Sequence, residues 1–178
     1  DAIPGTPVMA MNAGMYESDR SPVGLYVENG QKLKSANTRN GPGNFHLKPN
    51  GVFFIDASGA GVMETGRFLQ SGRAPLFATQ SGPMLVINGA LHPRFDANGT
   101  SLKIRNGVGV KTATTVVFAI SDEEVSFGAF ARLFRDKFGC ANALFLDGSV
   151  SVLRVPALGR SDSAWSLGPI VAAYPKGQ

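Results

Sequence analysis

The amino-acid sequence predicts an α+β protein of one domain, a twisted and mainly antiparallel sheet with a helix at about 127–138 packed on one face. Three observations lead there. At 178 residues the chain is near the usual size of one domain, long enough to bury roughly two thirds of its unfolded surface in a single core. Its 43% hydrophobic and 17% charged residues, with 22 glycines, describe a globular chain rich in turn formers, which favours many short strands. Apolar residues recur at helical spacing in one stretch, Ser126 to Gly139.

The strands follow from local chemistry. "VMAM" (8–11) is a short apolar run ending at Asn12-Ala13-Gly14, as a strand entering a turn does. Asn29-Gly30 separates two strand-like runs in "VGLYVENGQKL", the strongest short-range signal for a two-residue hairpin. Pro49-Asn50-Gly51 reads as a turn, "VFFI" (52–55) as a buried strand, "ASGAG" (57–61) as a turn and "VMETGRF" (62–68) as a partly alternating strand. Met84 to Ile87 feed Asn88-Gly89, another hairpin signature, and "TSLKIRNGVGV" (100–110) and "TATTVVFAIS" (112–121) supply two more strands. In the helical stretch Phe127, Phe130, Ala131, Phe134 and Phe138 share a face, Ser126 caps the first turn and Gly139 ends the last. Cys140 to Leu146 then returns as a strand that delivers Asp147, and the tail from Ser163 adds a last short strand.

Charge narrows the function classes. The net charge of +4 comes from 17 basic and 13 acidic residues, and the basic ones are scattered. A nucleic-acid module would cluster them with aromatics between, so a small phosphate-bearing ligand fits better. The single Cys140 excludes an internal disulfide and the usual zinc knuckle, and reads as a buried apolar residue. His46 and His92 stand in no metal-ligand spacing, so no cofactor is implied, although a divalent cation beside Asp147 stays open. No apolar run reaches 18 residues and nothing at the start resembles a signal peptide; a soluble chain without a transmembrane segment is expected.

Four short stretches that join glycine to polar side chains each follow or interrupt a strand: "MNAGMY" (11–16), "TQSGP" (79–83), "IRNGVG" (104–109) and "LDGS" (146–149). Singly each reads as a turn. Together they suggest one rim where N–H groups and amides cradle an anion or a sugar. Their order, with "KPNGVFF", "QSGPMLVINGALHP" and "ALFLDGSVS", resembles the phosphodiester glycosidase family, that of the lysosomal uncovering enzyme, and most closely its bacterial, periplasmic branch. The similarity runs from Ala10 to about Leu153. It implies a hydrolase that cleaves the glycosidic bond of a sugar-1-phosphodiester, releasing the sugar and a phosphomonoester, in a periplasmic or secreted setting. Related domains carry strands ahead of the Asn12 motif, so the first strands of this single domain, residues 1–178, are expected to be missing, cleaved off or supplied by another segment.

A departing phosphate is a weak base and needs little protonation, so one carboxylate suffices where ordinary glycosidases use two. Asp147 is the candidate nucleophile, general base or stabiliser of the oxocarbenium-like centre, or else an ordinary Asp-Gly turn. Arg105 is the candidate phosphate clamp, its guanidinium fork matching phosphate oxygens. Asn12, Gly14, Tyr16, Gln80, Ser81, Gly82, Asn106, Gly107, Gly148 and Ser149 are the candidate substrate-binding residues. Val150 departs from the family's animal member, whose last motif is richer in glycine after its aspartate. This favours the alternative of a noncatalytic binding module for envelope or capsular phosphoglycans. Everything depends on distant loop tips converging, with Asp147 and Arg105 on the same side of the molecule.

Overall fold

The computed structural model describes residues 5–96, 99–148, 150–162 and 166–176. Along the chain run β1 (Met9–Asn12), β2 (Tyr26–Glu28), β3 (Gln31–Lys34), β4 (Gly51–Asp56), β5 (Gly59–Glu64), α1 (Thr65–Gln70), β6 (Phe77–Ser81), β7 (Met84–Ile87) and β8 (Ala90–Leu91). There follow β9 (Asn106–Thr112), β10 (Thr115–Ile120), α2 (Phe127–Arg132), β11 (Asn142–Phe145), β12 (Leu153–Val155), β13 (Arg160–Ser161) and β14 (Ile170–Ala173). The strands make three sheets, ordered β13-β12-β1-β14, β10-β9-β11-β7-β8 and β3-β2-β6-β4-β5. The pairings within them are antiparallel. The class is the one the sequence predicts, with the sheet divided in three.

The sheet built on β9 and β11 is the middle layer, and strand alternation explains why. Ala143 and Phe145 of β11 face α2 in one core cluster with Leu85, Phe130 and Phe134, while Leu144 and Leu146 join the opposite cluster with Met11, Phe53, Val62 and Met84. Neighbouring β9 alternates glycine with valine: side chains at Gly107 or Gly109 would run into Phe130 or into Phe134 and Cys140, while Val108 packs the other way. The glycines of "RNGVGV" therefore let the phenylalanine face of the helix lie directly on the strand. A third cluster, Leu25, Val27, Val52, Phe54, Phe68 and Ala78, fills the space between the β2-β6-β4 face and α1.

The helix begins and ends where its chemistry says. Ser126 accepts from the Ala129 N–H at 3.1 Å, and Gly139 takes a left-handed φ of 68°. Its last turn widens over Leu133–Lys137, with the Phe138 N–H bonded to the Leu133 carbonyl. Asn29-Gly30 and Asn88-Gly89 have positive φ at both residues, as two-residue hairpins require.

Elsewhere local reading gives way. "VMETGRF" is strand only through Glu64, whose carboxylate accepts from the N–H groups of Gly66 and Arg67 at 2.9 Å each and starts α1. The "ASGAG" turn shrinks to Ala57-Ser58, tightened by the Ser58 N–H bonded to the Asp56 carboxylate at 2.7 Å, and its glycines belong to β5. The strand expected from Thr100 starts at Asn106; before it, Lys103 makes only an isolated bridge to Val125. The short strands β12 and β13 were not expected at all.

Candidate active site

Asn12 stands where β1, β9 and β11 meet, and it is 1% exposed. Its Nδ2 donates to the Asp147 carbonyl at 2.8 Å. Its Oδ1 accepts from the Val152 N–H and from the Asn106 Nδ2, both at 2.9 Å, and Asn106 also donates to the Asn12 main-chain carbonyl at 3.1 Å. Both partners of the Asn106 Nδ2 are oxygens, which fixes that amide's orientation and leaves its Oδ1 buried without a partner among the described residues. Two main-chain bonds complete the knot: Asp147 N–H to Ala13 carbonyl and Leu146 N–H to Asn106 carbonyl, each at 3.1 Å. Asp147 is thus delivered at a strand end with its N–H and carbonyl both hydrogen-bonded to the β1 segment.

Arg105 lies at the same end of the sheet. Gly107 pairs with Phe145, and the Leu146 bond carries the same register on to Asn106. The ladder closes there: Arg105 immediately precedes β9 and Asp147 follows β11 after one intervening residue, so both stand at the same end of the central sheet. The Arg105 side chain is 1% exposed. Its Nε donates to the Val125 carbonyl at 2.8 Å and its Nη2 to the Ser101 carbonyl at 2.7 Å. Its Cζ sits 3.6 Å over the Phe127 ring and 5.5 Å from the Phe145 centroid. Burial lowers its pKa to about 10, so the cation persists at neutral pH. The expected clamp is therefore corrected in one respect: the fork is turned into the protein, where its Nε and Nη2 are taken up by main-chain carbonyls.

The other two stretches do arrive, for reasons the sequence did not disclose. The Gly14 N–H donates to the Thr79 Oγ1 at 3.2 Å, and the Phe145 N–H to the Pro83 carbonyl at 3.0 Å, so all four converge. Their glycines are spacers for that convergence. A side chain at Gly14 would meet Thr79 and the Gln80 carbonyl, at Gly82 it would meet Asn50 and the Phe45 carbonyl, and at Gly148 the Phe145 ring. Gln80 is an internal tie: its Oε1 accepts from the N–H groups of Leu25 and Asn37, and its Nε2 donates to the Asn37 carbonyl and the Thr65 hydroxyl. That exhausts the amide, and Gln80 has no hydrogen bond left for a substrate. Gly107, packed beneath Phe130, is likewise corrected from ligand contact to helix seat. Ser81 is fully buried with its hydroxyl unpartnered among the described residues. Tyr16 is half-buried and its ring packs on Gly168. Ser149 lies outside the described residues.

A family model described as phosphodiester glycosidase matches residues 5–165. The chain belongs to the phosphodiester glycosidase family. It is 40% identical over 147 residues to a relative from Escherichia coli (strain K12), named uncharacterized protein YigE, across 83% of this chain and 58% of that protein. Its fold is similar to the zebrafish N-acetylglucosamine-1-phosphodiester alpha-N-acetylglucosaminidase catalytic domain auto-inhibited by pro-peptide, with TM-score 0.62 and 15% identity, over 93% of this chain and 61% of that one. The chain spans about three fifths of the length of each.

In this phosphodiester glycosidase chain the sequence reading missed the groups that hold Arg105. Phe127 is legible only as a helix-face residue; its place at the first helical position after the Ser126 cap is the one local signal that sets it apart. An open cleft of about 490 Å³ beside Asn12, lined by Met11, Val152, Leu153, Leu167 and Ile170 among others, was not foreseen either. Among the described residues no three of His, Cys, Asp and Glu gather as metal ligands. His92 is buried, its Nδ1 accepting from the Arg94 N–H at 3.2 Å, and burial lowers its pKa against the upward pull of the Lys48 carbonyl. Cys140 is buried in the helix-facing core with its thiol pKa pushed up by burial, and the exposed Lys48 ammonium donates to Thr38 and Asn40.

Proposed function

We propose that this chain hydrolyses the glycosidic bond of a sugar-1-phosphodiester. The supporting observation is that two opposite charges stand at one end of the central sheet: Asp147 just beyond β11, and just before β9 the buried Arg105, whose guanidinium bonds among the described residues go to main-chain carbonyls. Carbonyls orient a cation without neutralising it, and a buried cation favours an anion near it. The substrate has both complements. Its phosphodiester is anionic, and its anomeric carbon becomes positive as the bond breaks.

In the proposed reaction the bond between the anomeric carbon and the bridging oxygen breaks, and its electron pair leaves with the phosphate. The leaving monoester has a second pKa of about 6, so it departs without a general acid. Asp147 faces the oxocarbenium-like carbon and accepts the proton of the water that adds to it, giving a free sugar. Arg105 stabilises the phosphate charge that grows on departure.

The test is release of reducing sugar from a sugar-1-phosphodiester, with Asp147→Asn as control. Loss of at least about a hundredfold in kcat, with the melting temperature kept, is expected for the loss of a general base. Saturable binding without turnover in the parent protein would instead favour a binding module for envelope or capsular phosphoglycans.

A further inference from the structure

Two residues flanking the helix cap at the start of α2 hold Arg105. Val125 offers its carbonyl to Nε at 2.8 Å, Ser126 caps the helix, and Phe127 lays its ring on the guanidinium at 3.6 Å. The stacking continues behind Phe127 to Phe95, 5.0 Å away at 10°, and on to His92, another 4.7 Å away at 26°. Phe145 meets Phe127 edge-on at 4.8 Å.

We infer that Phe127 is a positioning residue for phosphate recognition, holding the Arg105 guanidinium in place at the end of β9 and β11 without itself bringing a neutralising charge. This rests on the phosphodiester reading above. The physical ground is the kind of partner the guanidinium has. A carboxylate would hold a buried guanidinium as firmly but would cancel its field. An aromatic face attracts the cation through its quadrupole and adds no negative charge of its own. The two carbonyls fix Nε and Nη2, and the ring covers Cζ at 3.6 Å.

Phe127→Leu keeps an apolar side chain and removes the flat face, whereas Phe127→Tyr keeps the face. With a sugar-1-phosphodiester, Phe127→Leu is expected to raise KM about tenfold with kcat within about twofold, and Phe127→Tyr to return KM to within about twofold of the parent. Arg105→Met, measured alongside, separates the two levels. An unchanged KM in Arg105→Met removes the phosphate role of Arg105 itself; a raised KM there with a parental KM in Phe127→Leu overturns the role of Phe127 alone. Equal KM increases in Phe127→Leu and Phe127→Tyr would make the ring mere packing and also overturn it. NMR needs no turnover: the Arg105 Nε–H resonance, displaced by the ring current of Phe127, is expected to lose that displacement in Phe127→Leu and keep it in Phe127→Tyr. It should shift on adding inorganic phosphate to the parent and to Phe127→Tyr; no shift in the parent would count against the inference.

Discussion

Asn12 donates its side-chain amide to the main-chain carbonyl of Asp147 at 2.8 Å, across 135 residues of sequence. The bond sets the carboxylate's backbone directly on the strand that enters the "MNAGMY" turn. With the Val152 N–H and the Asn106 amide on the same side chain, Asn12 joins the small sheet of β1, β12, β13 and β14 to the central one. The fold and the candidate chemistry therefore depend on one amide.

Asn12→Ala should be costly to both. It removes three side-chain hydrogen bonds and leaves a buried carbonyl and N–H without them. A loss of about 3 kcal/mol is expected, seen as a lower urea midpoint and a melting temperature lower by about 6–12 °C. Turnover should fall further than stability does when measured well below the melting transition.

Gly109→Ala tests the seat of the helix apart from the site. The added methyl meets Phe134 and Cys140 in a filled core, which should cost about 1–3 kcal/mol. KM and kcat at low temperature should stay parental, since Gly109 lies further along β9, away from Arg105.

Alkaline pH should separate substrate affinity from stability. Burial lowers the Arg105 pKa to about 10 from the ordinary 12.5. Above about 10 the folded protein loses this proton while the unfolded chain keeps it, so through this group stability rises with pH between the two values. KM for the phosphodiester should rise over the same range as the attracting charge is lost. Steady-state kinetics beside thermal melts on both sides of pH 10 would show it; a KM that stays flat would mean that the guanidinium keeps its proton over this range.

Acid acts through His92. Burial holds its pKa below the ordinary 6.5, so the unfolded chain takes up a proton first, and stability is lost as pH falls from 6.5 through the lower folded value. Melting temperatures from about pH 8 down to about pH 5 should show that slope, and His92→Phe, which keeps the stack on Phe95, should flatten it.

What the sequence disclosed, and what it withheld, divides along the range of the interactions. The Ser126 cap, the Gly139 stop and the Asn-Gly turns are set by bonds within a few residues, and they stand where the sequence puts them. The four polar stretches were readable as a set because their order resembles a family, and they do converge. Their internal division of labour was not readable. Whether Gln80 faces a ligand or the chain depends on Leu25, Asn37 and Thr65, up to 55 residues away. The glycines of β9 looked like a ligand cradle because the helix that presses on them comes later in sequence. The start of α1 was missed because its cap is a glutamate in a run that also reads as strand.

The central claim is which bond breaks, and hydrolysis in water enriched in oxygen-18 tests it most directly. The account predicts the label at the anomeric hydroxyl of the released sugar, with none in the phosphomonoester. Label in the phosphate would mean attack at phosphorus and would contradict it.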